Sequence, residues 1–130
     1  MIRYLFIDEV IVIHSRMIEL FGGREGIRDF TMLHSAIERC RANFGGRDLY
    51  PTIFNKASAL IQSLILNHPF NDGNKRTAFA SCALFLYYNQ YKLEYLKSEA
   101  IQFTLDIDSH KLNFEQISLW LQKHSKKIKH

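Results

Sequence analysis

The sequence predicts an all-α domain. Apolar residues recur at helical spacing over most of its length, and glycine and proline punctuate those stretches at short-helix intervals. Only Tyr91 to Tyr95 alternates weakly as a strand would. The first helix runs from Asp8, placed to cap it, to about Phe21, where Gly22 and Gly23 stop it. The second spans about Thr31 to Ala42, with Asp29 near its start and Gly45 and Gly46 past its end. Pro51 sits at a favoured first-turn position of the third. There Ile53, Ala57, Leu60, Ile61, Leu64 and Ile65 keep helical spacing until Pro69 forbids continuation. The fourth runs from about Asn74 to Tyr88. Its apolar residues, from Ala78 and Phe79 to Leu86 and Tyr87, lie on every side, which assigns it to the centre of the domain. Ser98 to about Asp108 and Asn113 to about His124 complete the set, the last with Gln116 three residues after the capping Asn113.

Phe-Gly-Gly-Arg occurs at Phe21 to Arg24 and again at Phe44 to Arg47, but the flanking segments do not match. Two glycine helix stops explain the pair more simply than a repeat. Gly45 to Tyr50 also has the composition of a small hairpin or flap before the third helix.

A chain of 130 residues with 47% hydrophobic and 23% charged residues is expected to form a single domain over 1–130 with a true core. No apolar run approaches the roughly 20 residues of a membrane helix, so no membrane association and a cytoplasmic location are expected. Cys40 and Cys82 lack CxxC spacing and read as buried thiols in a reducing compartment. The net charge of +4 is concentrated in Lys123, Lys126, Lys127 and Lys129. This reads as a basic, disorder-prone tail at 125–130 rather than a nucleic-acid face, and no direct DNA binding is expected. The six histidines show no HExxH or Cys/His ligand spacing, which argues against zinc.

The chemistry is concentrated between two helices, in His68-Pro69-Phe70-Asn71-Asp72-Gly73-Asn74-Lys75-Arg76. Lys75 and Arg76 fall in the first turn of the fourth helix, where the macrodipole disfavours cations. Their presence there makes sense if an anion sits opposite them, held also by the backbone N–H groups that follow Gly73. Phosphate is the obvious candidate: Gly73 permits close approach, Asn74 can donate or cap, and Arg76 can grip two oxygens. Reacting phosphates are usually accompanied by Mg²⁺, which needs one or two carboxylates, and Asp72 is the only acid in the segment. His68 can take a proton near neutral pH. Alone, His68 would read as a partly buried histidine, Asp72 as a cap and Asn71-Asp72-Gly73 as a turn. Capping does not explain Lys75 and Arg76, and convergence within one segment favours transfer of a phosphate-containing group to a hydroxyl.

The segment His68 to Ala78 resembles the His-x-Phe-x-Asp-Gly-Asn-x-Arg signature of the Fic/Doc superfamily, and more closely the death-on-curing (Doc) toxins of bacterial toxin-antitoxin pairs. The likeness extends upstream through Phe21-Gly22-Gly23, Gly26-Ile27-Arg28-Asp29 and Leu49-Tyr50-Pro51-Thr52, and the short length fits Doc better than the larger Fic enzymes. The resemblance implies a compact bundle of about six helices, with the flap before the third helix pairing with an extended target segment. It assigns His68 as the base that deprotonates the target hydroxyl and Asp72 as the Mg²⁺ position. Gly73 and Asn74 become the anion-binding turn, Arg76 the contact to nucleotide phosphates, and Phe70 the anchor of the loop in the core.

Lys75 decides the implied reaction. Fic enzymes that transfer AMP usually carry a second glycine there, whereas lysine resembles Doc, in which the terminal phosphate of a nucleoside triphosphate such as ATP is transferred. The implied substrate is elongation factor Tu and the implied outcome translation arrest. AMP transfer to a protein hydroxyl is the alternative. Ser15 and Glu19 have the spacing of a self-inhibitory motif, but Leu20 stands where Gly or Asn is required, so inhibition in trans by a Phd-like antitoxin is expected. An RNA-cleaving toxin, drawing on Arg28-Asp29 and His34, leaves the His68 to Arg76 cluster unexplained. A non-catalytic phosphate-binding module leaves the base and metal positions without a role.

Overall fold

The computed structural model describes residues 1–129. Helix α1 (Ile7–Phe21) has Phe6 rather than Asp8 at its N-cap position. Glu9 supplies the cap, accepting from the Phe6 N–H at 2.9 Å, and Asp8 lies in the first turn. Helix α2 (Phe30–Glu38) is capped by Asp29, which accepts from Met32 N, and ends earlier than Ala42 because Arg39–Arg41 tightens into a 3₁₀ turn. Helix α3 (Ile53–Leu66) is capped by Thr52, so Pro51 stands before the cap rather than in the first turn. Helix α4 (Asn74–Tyr88) has the expected bounds. Helix α5 (Lys97–Asp108) precedes α6 (Phe114–Lys123), where the Asn113 N–H donates to Gln116 Oε1 at 2.8 Å and the Gln116 N–H to Asn113 Oδ1 at 2.9 Å. The result is an all-α bundle of six helices.

The central helix is α3, not α4. Lys56 to Ile61 are buried without interruption, and α3 packs against α2, α4, α5 and α6. Helix α4 buries Ala78, Cys82, Phe85 and Leu86, but Phe79 and Ala83 are only half-buried and Tyr87 is exposed. An apolar circumference does not by itself place a helix at the centre, because one side of α4 walls a groove instead of meeting another helix. Cys40 and Cys82 are free and buried, as expected. Burial pushes the Cys40 thiol up to about 11 and Cys82 higher still.

Two short antiparallel pairs complete the fold. Strands β1 (Asn43–Phe44) and β2 (Arg47–Asp48) form the flap, with Asn43 opposite Asp48. The connecting Gly45 and Gly46 have φ of 58° and 82°, the left-handed pair that a two-residue hairpin requires. The second Phe-Gly-Gly-Arg is therefore a turn and not a helix stop. Strand β3 (Tyr91–Leu93) pairs with β4 (Ser125–Lys127). The chain over 125–127 is thus not a frayed tail; His130 lies outside the described residues. Its pairing extends through Glu94 N to His124 O at 2.7 Å and Ile128 N to Gln90 O at 2.9 Å. Backbone bonds of this kind carry no side-chain signature, so a lysine-rich segment can enter them unannounced. No helix among the described residues is long and apolar enough to cross a membrane.

The flap is fastened from below by Lys56, whose side chain is 0% exposed and whose Nζ lies 3.1 Å from Asp48 Oδ2. Arg39 holds the flap base, donating to Tyr50 Oη, Gln62 Oε1 and Ser63 Oγ at 2.8–2.9 Å. The ion pair is lopsided, since Asp48 remains half exposed. Removing Asp48 strands a buried cation, whereas an apolar replacement of Lys56 leaves a carboxylate that water can solvate. Urea unfolding is expected to show Asp48→Ala losing about 3 kcal/mol and Lys56→Met staying within about 1 kcal/mol of wild type. Equal losses would contradict that asymmetry.

Candidate active site

Between α3 and α4 the chain must leave one core helix and enter another within seven residues, and Phe70 makes the crossing possible. Its side chain is 2% exposed and stacks on the buried His14 ring of α1, centroids 3.9 Å apart and planes within 5°. His14 Nε2 donates to Asp72 O at 2.8 Å, which places a proton on that nitrogen. The preceding loop, 22–29, is laced to the same segment. Asn71 N donates to Gly26 O, while Arg28 N and Asp29 N both donate to Pro69 O. Ile27 and Phe70 form an isolated antiparallel bridge.

His68 stands at the edge of this crossing, its side chain about half exposed and its φ at 46°. That is a left-handed backbone rare for a residue with a Cβ. Arg28 sustains it: Nε donates to His68 O at 2.6 Å and Nη2 to Asn67 O at 2.9 Å, capping the carbonyl end of α3 with charge-assisted bonds. The imidazole is therefore displayed outward on a fixed stem, with Nε2 3.4 Å from Asp108 Oδ1.

Asp72 is exposed and already ordered. Oδ2 accepts from Arg24 N at 3.1 Å and Oδ1 from Gly73 N at 2.9 Å. These bonds, first Arg24 and then Gly73, hold its carboxyl below the usual carboxylate range, with Arg24 and Arg76 adding a smaller favourable field. Gly23 is the residue that permits this approach, because a Cβ there would meet Asp72 Oδ2 at 2.8 Å and its φ is 119°. Each Asp72 oxygen accepts one of these bonds and keeps further acceptor capacity. A single ionised carboxylate has the donor chemistry that suits Mg²⁺, which takes few protein ligands and keeps its waters. No cluster of three or more potential metal-ligating side chains exists among the described residues.

At the start of α4 the expected anion residues divide. Gly73 is the N-cap, but its N–H is taken by Asp72. The Asn74 side chain spans the Phe70 backbone, accepting from its N–H at 2.9 Å and donating to its carbonyl at 3.0 Å. It braces the loop, leaving only its backbone N–H for an anion. The N–H groups of Asn74, Lys75 and Arg76 make no hydrogen bond among the described residues and form the open donor set. Lys75 points one way, its Nζ 3.5 Å from Asp108 Oδ2. Arg76 points the other, donating to Gly22 O at 3.4 Å and lying over the Phe21 ring at 5.1 Å. Both cations also line a groove of about 780 Å³ between α1, α4 and α5, walled by Met17, Phe79, Ala83 and Ile101.

The structure thus brings His68, Asp72, Lys75 and Arg76 to one end of α4, and Phe70 serves as the expected anchor. Residues missed in the sequence are His14, Arg24, Arg28 and Asp108. His14 could have been found, because Val10, His14 and Ile18 form a single i, i+4 buried stripe.

Residues 4–86, well over half of the chain, match the family described as Fic/DOC family. Over 73 residues the sequence is 47% identical to Toxin Doc of Mycolicibacterium smegmatis, covering 56% of this chain and 56% of that protein. Over 84 residues it is 31% identical to Protein kinase doc of Escherichia phage P1, covering 65% of this chain and 66% of that protein. The chain therefore spans between about half and two thirds of the length of these curated relatives.

The Asp72 geometry carries a pH consequence. Its folded value lies below the unfolded one, so the ionised form stabilises the fold at neutral pH and that contribution fades as pH falls through the folded value. The urea stability gap between wild type and Asp72→Asn is expected to be widest near neutrality and to narrow as the pH is lowered below about 4. A gap independent of pH would show that the two backbone bonds do not discriminate between the charged and neutral forms.

Proposed function

We propose that this chain, which belongs to the Fic/DOC family, is the toxin of a toxin-antitoxin pair that transfers the terminal phosphate of a nucleoside triphosphate to a protein hydroxyl. The names of the two relatives, a Doc toxin and a phage protein kinase, support the reading from outside the structure. The observation that carries it is local: Lys75, in the first turn of α4, sets its Nζ 3.5 Å from the same Asp108 carboxylate that lies 3.4 Å from the half-exposed His68 imidazole, so a cation and that imidazole share one side of the helix start. A phosphate there meets positive charge next to the base. Glycine at that position would leave only backbone.

In the proposed reaction His68 takes the proton from the attacking hydroxyl as its oxygen forms a bond to the terminal phosphorus. The bond from that phosphorus to the bridging oxygen breaks, and the nucleoside diphosphate leaves with the bridging oxygen. Lys75 and the N–H groups of Asn74, Lys75 and Arg76 stabilise charge on the phosphate oxygens. Arg76, exposed at the mouth of the groove, grips the remaining phosphates. Asp72 would hold Mg²⁺, which supplies further neutralisation of phosphate charge when bound. Arg28, Asn74 and His14 keep the loop in place throughout.

ATP with Mg²⁺ is the proposed co-substrate, elongation factor Tu the proposed protein substrate, arrest of translation the outcome, and a Phd-like antitoxin the proposed inhibitor in the cytoplasm. Incubating the purified protein and bacterial lysate with ATP labelled at the gamma or the alpha phosphate is expected to label protein from the gamma position only, and His68→Ala to abolish it. Label arriving from the alpha position alone would replace phosphoryl by adenylyl transfer.

A further inference from the structure

Two helices meet at this site with their terminal charges reversed. Lys75 lies in the first turn of α4, at the positive end of its dipole, and Asp108 is the last residue of α5, at the negative end of its own. Each is disfavoured by its own helix. They are brought together, Asp108 Oδ2 lying 3.5 Å from Lys75 Nζ, and the second oxygen, Oδ1, lies 3.4 Å from His68 Nε2. One carboxylate thus spans the two side chains on which the proposed chemistry rests.

Its neighbours do not share this role. Asp106 takes a bond from Gln102 at 2.8 Å on the outside of the helix. Between them, Ile107 is buried in the core and fixes the rotation of the last turn, so that Asp108 faces α4. The backbone around it is also fixed, since Lys111 and Leu112 fold back to donate to Asp106 O. The Asp108 side chain is the least exposed of the three charged groups, 29% against 40% for Lys75 and 49% for His68.

We propose that Asp108 is a positioning residue of the active site: its carboxylate holds the His68 ring and the Lys75 ammonium one carboxylate width apart, keeping base and phosphate-binding cation in register. It touches neither substrate nor nucleotide; it orients the two groups that do. The proposal rests on the transferase reading for its kinetic consequence but not for its geometry. The contact is partly exposed, so its value lies in orientation rather than stability.

Asp106→Asn is the matched control, removing one negative charge from the same helix end without touching the bridge. Asp108→Asn is expected to unfold in urea like wild type while its phosphoryl-transfer kcat falls on the order of 10-fold and its KM for ATP rises. Asp106→Asn is expected to stay within about 2-fold of wild type, as suits a surface residue away from special features. Asp108→Glu, which keeps the charge, is expected to recover part of the loss. A spectroscopic arm is independent of turnover: at one fixed pH, the His68 ring resonances, assigned with His68→Ala, move in Asp108→Asn and not in Asp106→Asn. Unmoved His68 resonances in Asp108→Asn overturn the proposal. So does a kcat equal to or above wild type, which would make the bridge a resting lock. Absence of any transfer by wild type would remove the transferase reading alone and leave the resonances to decide the bridge.

Discussion

The insertion of Phe70 into the core, flat against His14, is the contact on which the rest of the site depends. A loop between two core helices has polar backbone on both sides, and leaving those groups unpaired beneath the surface is unfavourable by about 1–3 kcal/mol each. With Phe70 seated, its own N–H and carbonyl are met by the two ends of the Asn74 amide, and the Asp72 carbonyl by His14. The turn that follows then has a fixed direction, and the first N–H groups of α4 open outward. An imidazole, a carboxylate and a donor set on such a short segment would otherwise be free to rearrange.

Rigidity is supplied from elsewhere in sequence. Loop 22–29 runs beside the motif and gives it backbone partners, with Arg28 closing the carbonyl end of α3 under His68 and Arg24 fixing the Asp72 carboxylate. The left-handed His68 backbone is tolerable because these bonds over-determine it. The arrangement resembles a preorganised anion site in which little has to move when charge arrives. The flap is treated likewise at greater expense, with the buried Lys56 reaching up to Asp48 and Arg39 tying Tyr50 to α3.

Charge placement at the site follows one physical logic. A cation at a helix start and an acid at a helix end are each unfavourable alone, and the tertiary fold sets Lys75 and Asp108 opposite each other. Lys75 was legible as an anomaly because the Asn-Asp-Gly turn before it marks where α4 must begin. Asp108 is the same anomaly at the other end of a helix, but nothing local distinguishes it from Asp106, which has no part in the site. Only the rotation of α5, set by burial of Phe103 and Ile107, decides which of the two faces His68.

Local sequence determined the helices and their boundaries to within a few residues, since apolar spacing, capping pairs such as Asn113 with Gln116, and glycine stops act over one or two turns. It also determined the chemical inventory of the segment His68 to Arg76, because imidazole, carboxylate and cations are contiguous there. Tertiary structure decided the rest. It made α3 rather than α4 the central helix, turned Ser125–Lys127 into a strand through backbone pairing that is blind to side chains, and diverted the Asn74 amide from ligand to loop. It also recruited His14, Arg24, Arg28 and Asp108, which lie far from the motif in sequence. Each of these outcomes depends on which surfaces meet across tens of residues, and a spacing pattern read along one helix contains no record of the helix packed against it.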